Sequence, residues 1–192
     1  SFIVHFDNHL YTPLIVWKRN KGEIKSIPVG LNEGETKFVE DFKNFLNRNG
    51  GLFKEHDIFL LRNLSRKGIG FFISSGFYPD FIIWINGKNK QYMIFIDPKG
   101  IRNLGNFNDD KIQLCVSFIK DINRKISEDL KNKGKGINLQ LDAFILSISS
   151  YDNIKSTFGD GKHTKEEFEE RNIIFQEETD YLRKIFEKIG VI

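Results

Sequence analysis

The sequence predicts a single α/β domain with a mixed central sheet flanked by helices. Two observations carry that expectation. Helix-period and strand-period apolar runs follow one another in the order helix, three strands, helix, strand. An Asn-Gly turn, Asn86-Gly87, joins two β-prone runs near the middle of the chain. The 192 residues, 40% apolar and 29% charged, give room for one full hydrophobic core. The 19 Phe suggest a core filled by large rings.

Two apolar runs, Phe2–Phe6 and Leu14–Trp17, lie either side of a Pro-containing turn and predict an N-terminal strand extension over residues 1–32, packed on the core. In 33–48, Phe38, Val39, Phe42, Phe45 and Leu46 recur at helical spacing, and Asn49-Gly50-Gly51 stops the helix. Asp57–Leu64 reads as a strand, Arg62 to Lys67 as a basic turn, and Gly70–Ser74 as a further short strand. Phe81–Ile85 and Gln91–Ile96 read as a hairpin around Asn86–Lys90. Asn108–Lys131 reads as a long helix with Ile112, Cys115, Ile119, Ile122 and Ile126 on one face, and Leu139–Ile148 as a buried strand. These elements make a core over 33–148. Residues 149–192 add a polar connection, a capping box Thr164-x-x-Glu167 before a short helix, a strand Asn172–Gln176 and a closing helix Tyr181–Ile189.

Bulk properties narrow the function classes. Net charge is +3 with a pI near 8.8, which permits a nucleic-acid partner without requiring one. A lone Cys115 excludes an internal disulfide and a cysteine zinc site, and suits a reducing, cytoplasmic setting. No apolar run approaches a membrane span, and no basic then apolar leader opens the chain. The chain opens on Ser1 and its single methionine is Met93, so we expect a piece of a longer protein.

Chemistry concentrates on two acids and a lysine. Asp80 precedes one strand of the hairpin and Asp97 follows the other, with sixteen residues between them. A four-residue loop would set the two directly opposite, with Cβ atoms about 4.5–5.5 Å apart. Carboxylates that close repel unless a cation lies between them. Lys99, two residues after Asp97, falls on the same strand face. Hard carboxylate oxygens suit Mg²⁺, which can lower the pKa of a water and offset charge growing on a phosphate. The lysine can orient the attacking water and stabilise the transition state. Glu35 shares the apolar face of the first helix, whereas Glu40 points away, so Glu35 is the candidate third acid. Singly, each feature has an ordinary explanation: a Pro-Asp turn, a strand exit, a glutamate favoured by the helix dipole. The combination, in this order and on these elements, points to phosphodiester hydrolysis.

Tyr78-Pro79-Asp80, an apolar strand, a turn and Ile96-Asp97-Pro98-Lys99 together resemble the PD-(D/E)xK nuclease superfamily over roughly residues 33–148. The resemblance implies a restriction-endonuclease-like core, metal ligation by Asp80 and Asp97, catalysis by Lys99, and an outer or direct metal role for Glu35. Gly34–Asp41, Leu60–Asn63 and Phe77–Phe81 also look like the C-terminal endonuclease domain of helicase subunits of type III-like restriction enzymes. That implies Mg²⁺, with Mn²⁺ as a substitute, and double-stranded DNA as substrate. It further implies a helicase or translocase domain and a modification subunit elsewhere in the system, and transient dimerisation on DNA. ATP would act only through that motor, since Gly159-Asp160-Gly161-Lys162-His163 is not a Walker A loop. Pro98 departs from the aliphatic or small residue usual there, and its missing N–H implies that the strand ends or lies at an edge.

Arg62, Arg66 and Lys67 are candidates for gripping DNA phosphates, as are Lys111 and Gln113 at the start of the second helix. The four histidines show no zinc pattern, no Gly-x-Ser-x-Gly elbow is present, and Cys115 fits a core position. The alternatives are a non-catalytic nucleic-acid-binding or interaction module on the same fold, and a nuclease acting on RNA.

Overall fold

The computed structural model describes residues 2–5, 14–17, 30–63, 68–71, 77–136 and 138–192. Its centre is an open, mixed five-stranded sheet ordered β3-β4-β5-β6-β7. The strands are β3 (His56–Arg62), β4 (Phe81–Gly87), β5 (Gln91–Lys99), β6 (Leu139–Ser147) and β7 (Ile173–Phe175). β3, β4 and β5 run antiparallel, while β5, β6 and β7 are parallel. A separate antiparallel pair, β1 (Phe2–His5) and β2 (Leu14–Trp17), forms from the predicted N-terminal runs. The expected turn between them and the expected packing of this extension fall outside the described residues.

Strand alternation gives the sheet two apolar faces. Ile83, Ile94, Ile96, Phe144 and Leu146 face helices α1 (Glu33–Asn49) and α6 (Tyr181–Lys188). Ile82, Phe95, Ala143 and Ile145 face the second helical layer, where Ile112, Cys115, Ile119 and Phe168 are all fully buried. The phenylalanines fill both cores as ring clusters. Phe186 lies 5.4 Å from Phe45 and 4.9 Å from Phe53 between ring centroids, and Phe168 lies 4.9 Å from both Phe107 and Phe158.

α1 starts where sequence chemistry provides a start. Asn32 Oδ1 accepts from Glu35 N at 2.9 Å, and Glu35 Oε2 accepts from Asn32 N at 3.1 Å, a reciprocal capping box. The second capping box, Thr164 with Glu167, opens α5 (Lys165–Glu170) as predicted. The hairpin register Asn86↔Gln91 leaves four residues, 87–90, as its loop, closed by Gly87 N donating to Lys90 O at 3.0 Å.

The predicted Asn108–Lys131 helix is three consecutive segments. Asp109 caps α2 (Asp110–Gln113), a π-helical turn covers Leu114–Phe118, and α3 (Ile119–Asn132) follows. Of the expected short strand at Gly70–Ser74, residues 72–74 fall outside the described residues, and Phe71 forms an antiparallel bridge with Phe77. The polar connection after β6 contains one more helical turn, α4 (Tyr151–Ile154), capped by Ser150. No helix among the described residues is long and apolar enough to cross a membrane.

Candidate active site

The site lies at the sheet edge where β3 and β5 end and β4 begins. Phe81 pairs with Ile96, so the same register carried one residue further sets Asp80 across from Asp97. On the other side, Asn63 N donates to Asp80 O at 2.8 Å. The Asn63 amide binds Pro79 O at 2.8 Å and Ile69 O at 2.7 Å, and its oxygen accepts from Ile69 N at 2.9 Å. One asparagine thus ties the Pro-Asp bend to Ile69.

Asp97 is 4% exposed, and the Asp80 carboxyl is hydrogen-bonded to it. Burial, the Asp97 charge, that hydrogen bond and the Glu35 charge push the Asp80 carboxyl up to about 8, against a smaller opposing pull from Lys99. Lys99 forms an ion pair with Asp97, and its ammonium lies 5.1 Å from the centroid of the Phe77 ring. Asp97 Oδ2 is buried without a well-formed hydrogen bond, so the Lys99 ion pair is what offsets its charge.

Alternation divides the remaining candidates. Arg62 follows Ile58 and Leu60 onto the α1 side of the sheet, where it meets Glu35 with Nη2–Oε2 at 3.6 Å. Both side chains are only 12% exposed. Asp97 and Lys99 share the face of Phe95, on the side of α2 and α3. The two groups meet at the open edge, where Glu35 acts on Asp80 through its charge. Glu35 has a structural task as well, since both of its oxygens accept hydrogen bonds from Asn32.

Pro98 sits where its missing N–H costs nothing. Ile148 N donates to Lys99 O, so the peptide groups of Lys99 face β6 and those of Pro98 face the β4 side. Pairing with β4 has already ended at Ile96, so the missing N–H breaks no ladder bond. β5 is a central strand that is locally an edge on that side for its last residues.

Lys111 and Gln113 lie on α2. Gln113 Nε2 donates to Phe107 O at 2.8 Å, and neither residue bonds to Asp80, Asp97, Lys99 or Glu35 among the described residues. Arg66 and Lys67 fall outside the described residues. Cys115 is fully buried, and burial first, then the Asp97 charge, push its thiol well above the ordinary thiol range. It stands as core behind the acids. Among the described residues, no three His, Cys, Asp or Glu side chains are gathered closely enough to ligate one ion. Mg²⁺ is commonly held by one or two carboxylates together with waters and phosphate oxygens.

Asn32 and Asn63 hold the segments that carry Glu35 and Asp80, and Gln176 bonds the backbone of α1 at Gly34; the sequence alone picks out none of the three. Asn32-x-x-Glu35 carries a readable signal, the capping-box spacing. Asn63 and Gln176 carry none, because their partners are backbone carbonyls distant in sequence. Comparison with protein-family models, curated proteins and solved structures finds no match for this chain.

Proposed function

We propose that this chain is a metal-dependent endonuclease domain that hydrolyses DNA phosphodiester bonds on a restriction-endonuclease-like core. The observation that supports this best is the Asp80–Asp97 carboxyl pair, set face to face by the hairpin register with Lys99 on the same edge.

The donor set fits a hard divalent ion. Two apposed carboxyls, one pushed up to about 8 and one buried with only the Lys99 ion pair to offset it, form a site whose negative charge a divalent cation would balance. Asp80 and Asp97 would hold Mg²⁺ or Mn²⁺, which when bound supplies an acidified water and offsets charge on the phosphate. Lys99, tethered to Asp97 and resting on Phe77, is placed to donate a hydrogen bond at the reacting phosphate once the carboxylate is otherwise neutralised. Glu35 takes the outer role: engaged by Asn32 and Arg62, it adds negative potential beside Asp80. Arg62, tied to Glu35, acts within the site more than as a free phosphate clamp. Double-stranded DNA as substrate, a separate motor domain, a modification subunit and transient dimerisation belong to the same proposal.

The test is nicking of supercoiled plasmid in Mg²⁺ or Mn²⁺, beside an EDTA control and Lys99→Ala. Metal-dependent nicking that the variant loses supports the reading. Nicking that survives Lys99→Ala or EDTA rejects it. A second reading, a non-catalytic nucleic-acid-binding module, is favoured by one feature: Lys99 is turned onto Asp97, an arrangement complete without substrate. Manganese uptake separates the two, since the binding module predicts none at this pair.

A further inference from the structure

We infer that Gln176, at the end of β7, is a positioning residue that sets the first turn of α1 and with it the Glu35–Arg62 pair beside Asp80. This rests on the nuclease reading above and deepens it.

Gln176 is 3% exposed, although it is a polar side chain at the end of an apolar strand. Its backbone is anchored first, since Gln176 N donates to Ser147 O at 2.9 Å, at the end of β6. From that fixed point its Nε2 donates to Gly34 O at 2.8 Å, the carbonyl of the peptide that leads into Glu35. A helix carbonyl at this position already serves the N–H four residues on, so the bond is additional to what α1 needs for itself. What it adds is registration of α1 against the sheet. Nearby, the Tyr181 phenol donates to Asp41 Oδ2 at 3.0 Å, so α6 is also tied to α1.

A second restraint acts at the same residue. A Cβ placed on Gly34 would lie 2.6 Å from Ile148 Cγ2, so α1 is pressed directly onto the segment that follows β6. The N–H of the same Ile148 donates to Lys99 O at the end of β5. The first turn of α1 and the end of β5 are thus both referenced to the ends of β6 and β7, which is how two sides of the sheet keep a fixed separation at the site. Groups that hold a site's inner residues in place commonly change metal affinity about 10–100-fold when removed.

The experiment uses the whole chain with Gln176→Met, which keeps the size and removes the donor, and Gln176→Glu, which sets a carboxyl against a carbonyl. Manganese binding is followed by calorimetry, and the Mg²⁺ dependence of plasmid nicking is measured per folded molecule. The expected result is a rise of roughly 10-fold in the Mg²⁺ needed for half-maximal nicking, with the rate at saturating Mg²⁺ largely retained. A merely structural glutamine would lower the melting temperature and the folded fraction but leave the half-saturation point where it is, and that result overturns the inference. If the Gln176 variants do not fold, Gly34→Ala carries the same test, because it displaces the same turn by crowding Ile148. Unchanged half-saturation there is equally fatal. Wild-type chain that takes up no Mn²⁺ and nicks nothing overturns the nuclease reading itself, and this inference with it.

Discussion

At the scale of single residues, Asp80 is where charge, burial and hydrogen bonding converge. Its carboxyl is raised from 3.8 to about 8, so the metal-free folded protein holds a proton there that the unfolded chain releases above about pH 4. The folded state therefore binds more protons than the unfolded state between those values. Stability from this group is fully present below the unfolded pKa and is lost as pH rises through about 8. Metal-free protein should melt at progressively lower temperature from pH 5 to pH 8.5, and Asp80→Asn should flatten that slope. Calorimetric melting across the pH series checks this, and an identical slope in the variant would refute it. A divalent ion competes for the same site as the proton. Mn²⁺ uptake should release close to one proton at pH 7 and tighten as pH rises toward 8. Titration in two buffers of different ionisation enthalpy counts the proton directly.

At the scale of elements, the capping box gives Glu35 two tasks, and the two can be separated. Asn32→Ala removes the Oδ1 acceptor for Glu35 N and the Nδ2 donor to Glu35 Oε1, and keeps the backbone N–H that donates to Glu35 Oε2. Cap loss of this kind costs about 1 kcal/mol, read as a lower urea midpoint at unchanged slope. The carboxylate keeps the backbone N–H of residue 32 and Arg62 as its partners. This element also shows what was legible in the sequence. The apolar periods of α1, β4, β5 and β6 each bury a face, so pattern alone located them, and the hairpin arithmetic placed Asp80 against Asp97 because a four-residue loop leaves no freedom in register. The π turn at Leu114–Phe118 was not legible, since Ile112, Cys115 and Ile119 keep helical spacing across it. Four-residue α4 is too short for a period to register. The separation of Glu35 and Arg62 from Asp97 and Lys99 onto opposite sides of the sheet follows from pairing of β3 with β4, which one strand's pattern does not contain.

At the scale of the whole molecule, two apolar cores lie on opposite sides of one sheet, and the site draws on them unequally. α1 reaches the edge with Glu35, and its position depends on the ring cluster beneath it, where Phe186 packs between Phe42, Phe45 and Phe53. The other core, centred on Phe168 with Phe107, Phe158 and Phe175, supports α5 and β7. Phe168 and Phe186 are both fully buried, so truncating either to Ala leaves a cavity and should cost about 3–5 kcal/mol. Their effects on metal binding should nevertheless differ. Phe186→Ala loosens the seat of α1 and should weaken Mn²⁺ binding in the molecules that remain folded. Phe168→Ala leaves α1 on its own core and should lower the melting temperature without that loss. Calorimetric titration well below the melting temperature of each variant makes the comparison. Equal metal affinity in the two would mean that the edge is held by β4 and β5 alone, with α1 a bystander and Glu35 no more than a cap.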